Sequence, residues 1–149
     1  MFGIAASSVQ EIRSTDSMAG AANEIEHTNV PKVRHMLEWG HRTSYVVNAG
    51  MHFGLPATRP ALVLILREAR VAVLVDKIDR MTEVAGVHPL PRAFTGEERR
   101  WYSGLAYVDD SVIPVVQPSG FLTQEELAHL ERAAEAGAAR SEMQGAAQA

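Results

Sequence analysis

The chain has 149 residues, 46% of them hydrophobic, which suits one compact domain or two small lobes sharing an interface. Its 14 Lys and Arg against 18 Asp and Glu leave a net charge of -4, without the basic field that phosphate-backbone binding requires, so nucleic acid is not an expected partner. With no cysteine it can form no disulfide, thiol nucleophile or zinc–thiolate site.

At the N-terminus no basic stretch precedes an apolar core, and Ser7, Ser8 and Gln10 interrupt the apolar residues; a secretory signal is not expected. Short runs rich in β-branched or aromatic residues, bounded by turn formers, predict strands at Phe2–Ala5, Val33–Trp39, Thr43–Asn48, Ala61–Arg67, Arg70–Val75, Gly104–Val108 and Val112–Gln117. Gly40-His41, Glu68-Ala69 and Asp109-Asp110 are the expected hairpin tips. Ser14 to Pro31 and Pro89 to Glu98 lack a sustained period and read as connections. The longest apolar run, Pro60 to Leu66, is too short to span a bilayer, which predicts a soluble, cytoplasmic protein with no membrane insertion. Thr123 and Glu126 form a capping box, and Leu127, Leu130 and Ala134 recur at helical spacing. They predict a helix over 124–136, followed by a flexible tail over 137–149.

The two halves of the sequence resemble each other at one offset. Phe2 to Ile12 lies without gaps over Val71 to Met81, a shift of 69, matching Gly3 with Ala72, Ile4 with Val73, Val9 with Ile78 and Ile12 with Met81. The same shift carries Val46-Val47-Asn48 onto Val115-Val116-Gln117, and the tip Gly40-His41 onto Asp109-Asp110. Two similar β lobes packed side by side are therefore expected. Ile4 and Val73 should then occupy equivalent buried strand positions.

Val9-Gln-Glu-Ile-Arg13 after a short strand, Val46-Val47-Asn48 leading to Phe53-Gly-Leu-Pro56, and Val71 to Asp76 followed by Ile78 resemble the CheW-like domain. So do Tyr102 to Ala106 before a hairpin, and Ile113 to Gln117 with Phe121-Leu122 before a terminal helix. The resemblance implies a mainly β fold: two SH3-like β-barrel lobes packed side by side, with a C-terminal helix. The domain would cover 1–136, its interleaved lobes near 1–59 and 60–122. It also implies a non-catalytic adaptor of chemotaxis-type signal transduction, which binds a CheA-like histidine kinase and the cytoplasmic tip of chemoreceptors and uses no cofactor. The alternatives are a diverged CheW-like module serving another motility or signalling assembly and, further off, a small metal-dependent enzyme.

By the same resemblance the partner-binding residues are Val9, Glu11, Ile12 and Arg13, expected on a helical turn between the lobes, and His35, Leu37, Glu38 and Gly40 near the first hairpin tip. The chain departs from the family pattern there: a tip arginine is replaced by Gly40, and a strand-end aspartate by Asn48 in the first half and Gln117 in the second. Glycine cannot replace a guanidinium fork, so weaker partner binding is expected. The six histidines form no metal-ligating spacing and read as scattered surface residues. Asp76 reads as the cap of the turn after its strand and Asp109-Asp110 as a hairpin tip; no catalytic motif is present.

One element of the repeat has no counterpart. Shifting Ala61–Arg67 back by 69 gives positions -8 to -2, ahead of Met1. The first β-strand of the repeat is thus expected to be lacking, through a start codon set too far downstream or a truncation. Phe2–Ala5 would be left with an open edge, prone to aggregation or to an edge-strand dimer.

Overall fold

The computed structural model describes residues 1–56 and 59–148. Six strands form the larger sheet: β1 (Val9–Ser14), β2 (Ala22–Glu24), β3 (Val33–Trp39), β4 (Arg42–Asn48), β5 (Leu62–Leu66) and β6 (Val71–Val75), in the spatial order β1-β5-β6-β4-β3-β2. Neighbours are antiparallel except for β4 and β6, which run parallel. β5 (LVLIL) and β6 (VAVLV) are apolar throughout because the sheet is covered on both faces.

Side chains alternate between those faces. Val63, Ile65, Ala72, Val46 and Leu37 pack with Met18 of the short helix α1 (Thr15–Met18) on one side. On the other, Leu64, Leu66, Val73, Val47 and Tyr45 join Val116, Phe121, Leu122 and Leu130 from the second half of the chain. This second cluster is the interface between the lobes. Each fully buried Leu, Ile or Val there contributes about 1.5–3 kcal/mol, so the lobes are held together chiefly by apolar burial.

The smaller sheet pairs β7 (Tyr102–Val108) with β8 (Ser111–Val116). Two isolated bridges extend it: Gly3 beside Val115 in parallel, and His88 beside Leu105 antiparallel. Short helices α2 (Ala49–His52) and α3 (Glu98–Trp101) follow β4 and precede β7. The last helix, α4, spans Gln124–Gln148. Thr123 Oγ1 accepts from the Glu126 N–H at 3.0 Å, and the Glu126 carboxylate accepts from the Thr123 N–H at 2.9 Å; the capping box forms as read.

The structure corrects several local expectations. Val9 to Arg13 is not a helical turn but part of β1, because the edge of β5 offers it a ladder from Val9 opposite Leu66 to Ser14 opposite Leu62. The connection between Ser14 and Pro31 contains α1 and β2, which pairs with β3 from Ala22 opposite Leu37 to Glu24 opposite His35. Helix α4 does not stop at Ala136 but continues to Gln148, since the alanine-rich stretch has high helix propensity and no proline; Ala149 lies outside the described residues.

The repeat takes a specific form in the pairing. Ala72 lies parallel beside Val46, and Gly3 lies parallel beside Val115. A shift of 69 turns Gly3 into Ala72 and Val46 into Val115, so the two pairs are one pair reproduced with its halves exchanged. Each sheet is completed by the other half of the chain. The hairpin tips correspond too: Gly40 and Asp109 both hold left-handed backbone, at φ 60° and 54°. Ile4 and Val73 are not equivalent as expected. Val73 is fully buried between β4 and β5, whereas Ile4 is half-buried and lies outside any strand.

Candidate interaction surface

β1 forms one edge of the larger sheet, with β5 on its inner side. Val9, Glu11 and Arg13 are half-buried, while Gln10, Ile12 and Ser14 are exposed; a bulge between Val9 and Glu11 puts Val9, opposite Leu66, and Ile12, opposite Leu64, on the inter-lobe face, and Glu11 and Arg13, opposite Ile65 and Val63, on the other. Glu11 and Arg13 meet as a two-pronged ion pair, Nε to Oε1 at 2.9 Å and Nη2 to Oε2 at 3.0 Å. The pairing favours the charged guanidinium and raises the Arg13 pKa. Ile12 is 50% exposed, an unusual position for a large aliphatic side chain. The strand thus carries an aliphatic contact on one face of the sheet edge and a fixed pair of opposite charges on the other.

The second group of sequence-selected residues lies elsewhere on the sheet. β3 is four strand spacings from β1, about 19 Å along the sheet. Glu38 and Gly40 are exposed near the tip, and His35 is half-buried. Leu37 is only 1% exposed and packs in the cluster with Val46 and Val63, so it cannot reach a partner and leaves the candidate surface. Asn48, where the family pattern has aspartate, caps α2: its Oδ1 accepts from the Met51 N–H at 3.1 Å, a role an aspartate would also perform.

Between the lobes the structure shows a cluster that sequence reasoning missed. His52 is a buried residue, not a scattered surface histidine. Its ring lies 4.8 Å from those of Phe53 and Trp101 and 5.1 Å from that of Phe121. Phe53 in turn stacks on Tyr102 at 5.9 Å and meets Phe2 at 5.1 Å. Lys32 donates to Nδ1 of His52 at 3.0 Å and lies 3.3 Å from the Glu126 carboxylate. Burial, then the Lys32 charge, lower the His52 pKa to about 4. His52 is therefore neutral, with its proton on Nε2. Asn48 could have hinted at this from the sequence, since it places His52 on the turn it caps, but nothing local connects His52 to Lys32 or Glu126.

Among the described residues no helix is long and apolar enough to cross a membrane. A family model described as CheW-like domain matches residues 1–126. No curated protein matches the chain. A solved structure similar to it is that of the scaffolding protein TtCheW from Thermoanaerobacter tengcongensis, with a TM-score of 0.67 at 15% identity, covering 83% of this chain and 86% of that one. The two share a fold of two SH3-like lobes.

Proposed function

The chain belongs to the CheW-like domain family, and on that premise we propose that it is a non-catalytic adaptor working in the cytoplasm to couple chemoreceptors to a CheA-like histidine kinase. The match to residues 1–126, spanning both lobes, carries this reading. The β1 edge supports it with a surface suited to a protein partner: Ile12 supplies the aliphatic contact, and Glu11 with Arg13 supplies charges that fix register. Val9, at the start of the same strand, packs against the inter-lobe core.

The test is calorimetric titration of the chain with the regulatory domain of a CheA-like kinase, and separately with a receptor cytoplasmic tip. Binding of both, weakened at least tenfold by Ile12→Asp, is the expected result. Failure to bind either would remove the coupling role. A second reading, a CheW-like module serving another assembly, draws on the first hairpin tip, where exposed Gly40 offers no side chain to a partner. Receptor binding without kinase binding is its signature.

A further inference from the structure

Helix α4 continues past residue 126, where the family match ends, and one face of it meets the loop between β2 and β3. There Glu26, His27 and Asn29 of the loop stand across a groove of about 260 Å³ from His129, Arg132 and Arg140 of the helix. Ala133 and Ala136 line it between the two arginines, and their small side chains keep that space open. Both walls are anchored. In the loop, Ile25 and Val30 are buried, the Ile25 N–H donates to the Arg34 carbonyl at 2.8 Å, and the Thr28 hydroxyl lies 3.2 and 3.3 Å from the Val30 and Val33 carbonyls. Between these anchors His27 takes left-handed backbone at φ 57°. On the helix, Leu130 is fully buried in the inter-lobe core, while Arg132 and Arg140 are exposed.

The groove gathers cations in a chain whose net charge is -4. Other arginines are matched by acids: Arg13 by Glu11, Arg70 by Glu131 and Arg80 by Asp109. Among the described residues no carboxylate pairs with Arg132 or Arg140. Arg132 instead donates to Nδ1 of His129 at 2.9 Å. The residues four before and four after each arginine are alanine or glutamine, so the helix supplies no acid at that spacing. Glu26 is the one carboxylate lining the groove among the described residues.

Size and spacing decide what fits. A volume of about 260 Å³ lies below the roughly 300–1,000 Å³ of enclosed small-molecule sites. Eight residues of helix set the two arginines about 12 Å apart along its axis, too far for one phosphate or carboxylate to bridge. Extended chain rises about 3.3 Å per residue, so side chains four apart share a face at about 13 Å and match that distance. We propose that this groove binds an extended acidic segment of a partner protein, its carboxylates four residues apart on Arg132 and Arg140. Guanidinium and carboxylate form the strong, charge-assisted kind of hydrogen bond. The site is separate from the β1 edge of the proposed adaptor contact.

The probe is a dye-labelled, end-capped peptide with glutamates at alternate positions, Glu-Ser-Glu-Ser-Glu, titrated into the full chain at low salt and followed by fluorescence anisotropy. Saturable binding that weakens as salt is added is the expected result. Arg132→Gln and Arg140→Gln, which keep helix propensity, should each weaken binding at least threefold and together at least tenfold, with thermal melting unchanged. Glu26→Gln should tighten binding at least twofold, a gain that damage to the fold does not produce. Arg92→Gln, at an exposed arginine outside the groove, should leave it unchanged. No saturation at millimolar peptide, full affinity in the double variant, or an equal loss from Arg92→Gln would overturn the assignment. Inorganic phosphate that displaces the probe as well as unlabelled peptide does would make this a single-anion site, and tighter binding of a single-stranded oligonucleotide would make nucleic acid the ligand; either result overturns it too.

Discussion

Lys32 points its ammonium at Nδ1 of His52, 3.0 Å away, inside the seam between the lobes. A cation facing a buried imidazole opposes a second positive charge, adding to the penalty of burial, and His52 stays neutral down to about pH 4.

In the unfolded chain His52 takes up its proton near pH 6.5, so between that pH and about 4 the unfolded state binds more protons than the folded one. Stability should fall as pH drops through this window, by up to about 3 kcal/mol from this residue. Denaturant titrations at successive pH values check this. His52→Phe, which keeps the aromatic packing and cannot charge, should flatten the dependence.

Glu126 joins the helix cap to the seam, accepting from the Thr123 N–H at 2.9 Å and lying 3.3 Å from Lys32. Glu126→Ala removes both interactions and should cost about 1–2 kcal/mol. Glu126→Gln keeps a capping acceptor while discarding the charge, and its melting temperature should fall between those of the alanine variant and the parent.

A side chain at Gly104 would collide with backbone. A Cβ there would overlap the His88 carbonyl oxygen and sit 2.5 Å from Val87 Cγ1, where His88 and Leu105 exchange hydrogen bonds of 2.7 and 2.8 Å. Gly104→Ala should destabilise the protein by about 1–3 kcal/mol. The accompanying sign is faster amide exchange at His88 and Leu105.

Gly40 has open space around it but left-handed backbone at φ 60°. Gly40→Arg should therefore cost about 1–2 kcal/mol of stability through backbone strain. Where a kinase regulatory domain retains a facing carboxylate, the same change should tighten binding by about 1–3 kcal/mol. Gly40→Asn, which tolerates this backbone, separates the two effects: it should leave stability nearly unchanged and add no affinity.

Much of the fold was legible because its signals are local. The hairpins β3/β4 and β7/β8 turn at Gly40-His41 and Asp109-Asp110, as the breakers between β-branched runs indicate, and Thr123 with Glu126 marks the start of α4. β1 was hidden because Val9 and Ile12, three apart, share a face in a helical turn and do so in a strand only through a bulge such as the one between Val9 and Glu11. β2 was hidden by its composition, Ala22-Asn-Glu24, which owes its extended form to pairing with β3 and not to propensity. At the candidate surface, the exposure of Ile12 and the burial of Leu37 depend on which sheet face each meets, and hydrophobicity alone gives both the same sign. His52 depends on partners 20 and 74 residues away in the chain.

The exchanged pairs, Gly3 with Val115 and Ala72 with Val46, bear on how the molecule forms. Each sheet takes residues from both halves of the polypeptide, so a cut near residue 57 should yield two fragments that are each less structured alone and regain structure on mixing. The Gly3–Val115 contact closes a loop of 112 residues, whose ordering entropy is met late, after the locally connected hairpins exist. For this reason a two-lobed shape need not mean two melting transitions: the lobes should unfold together in one cooperative step, and refolding should be slow for so short a chain.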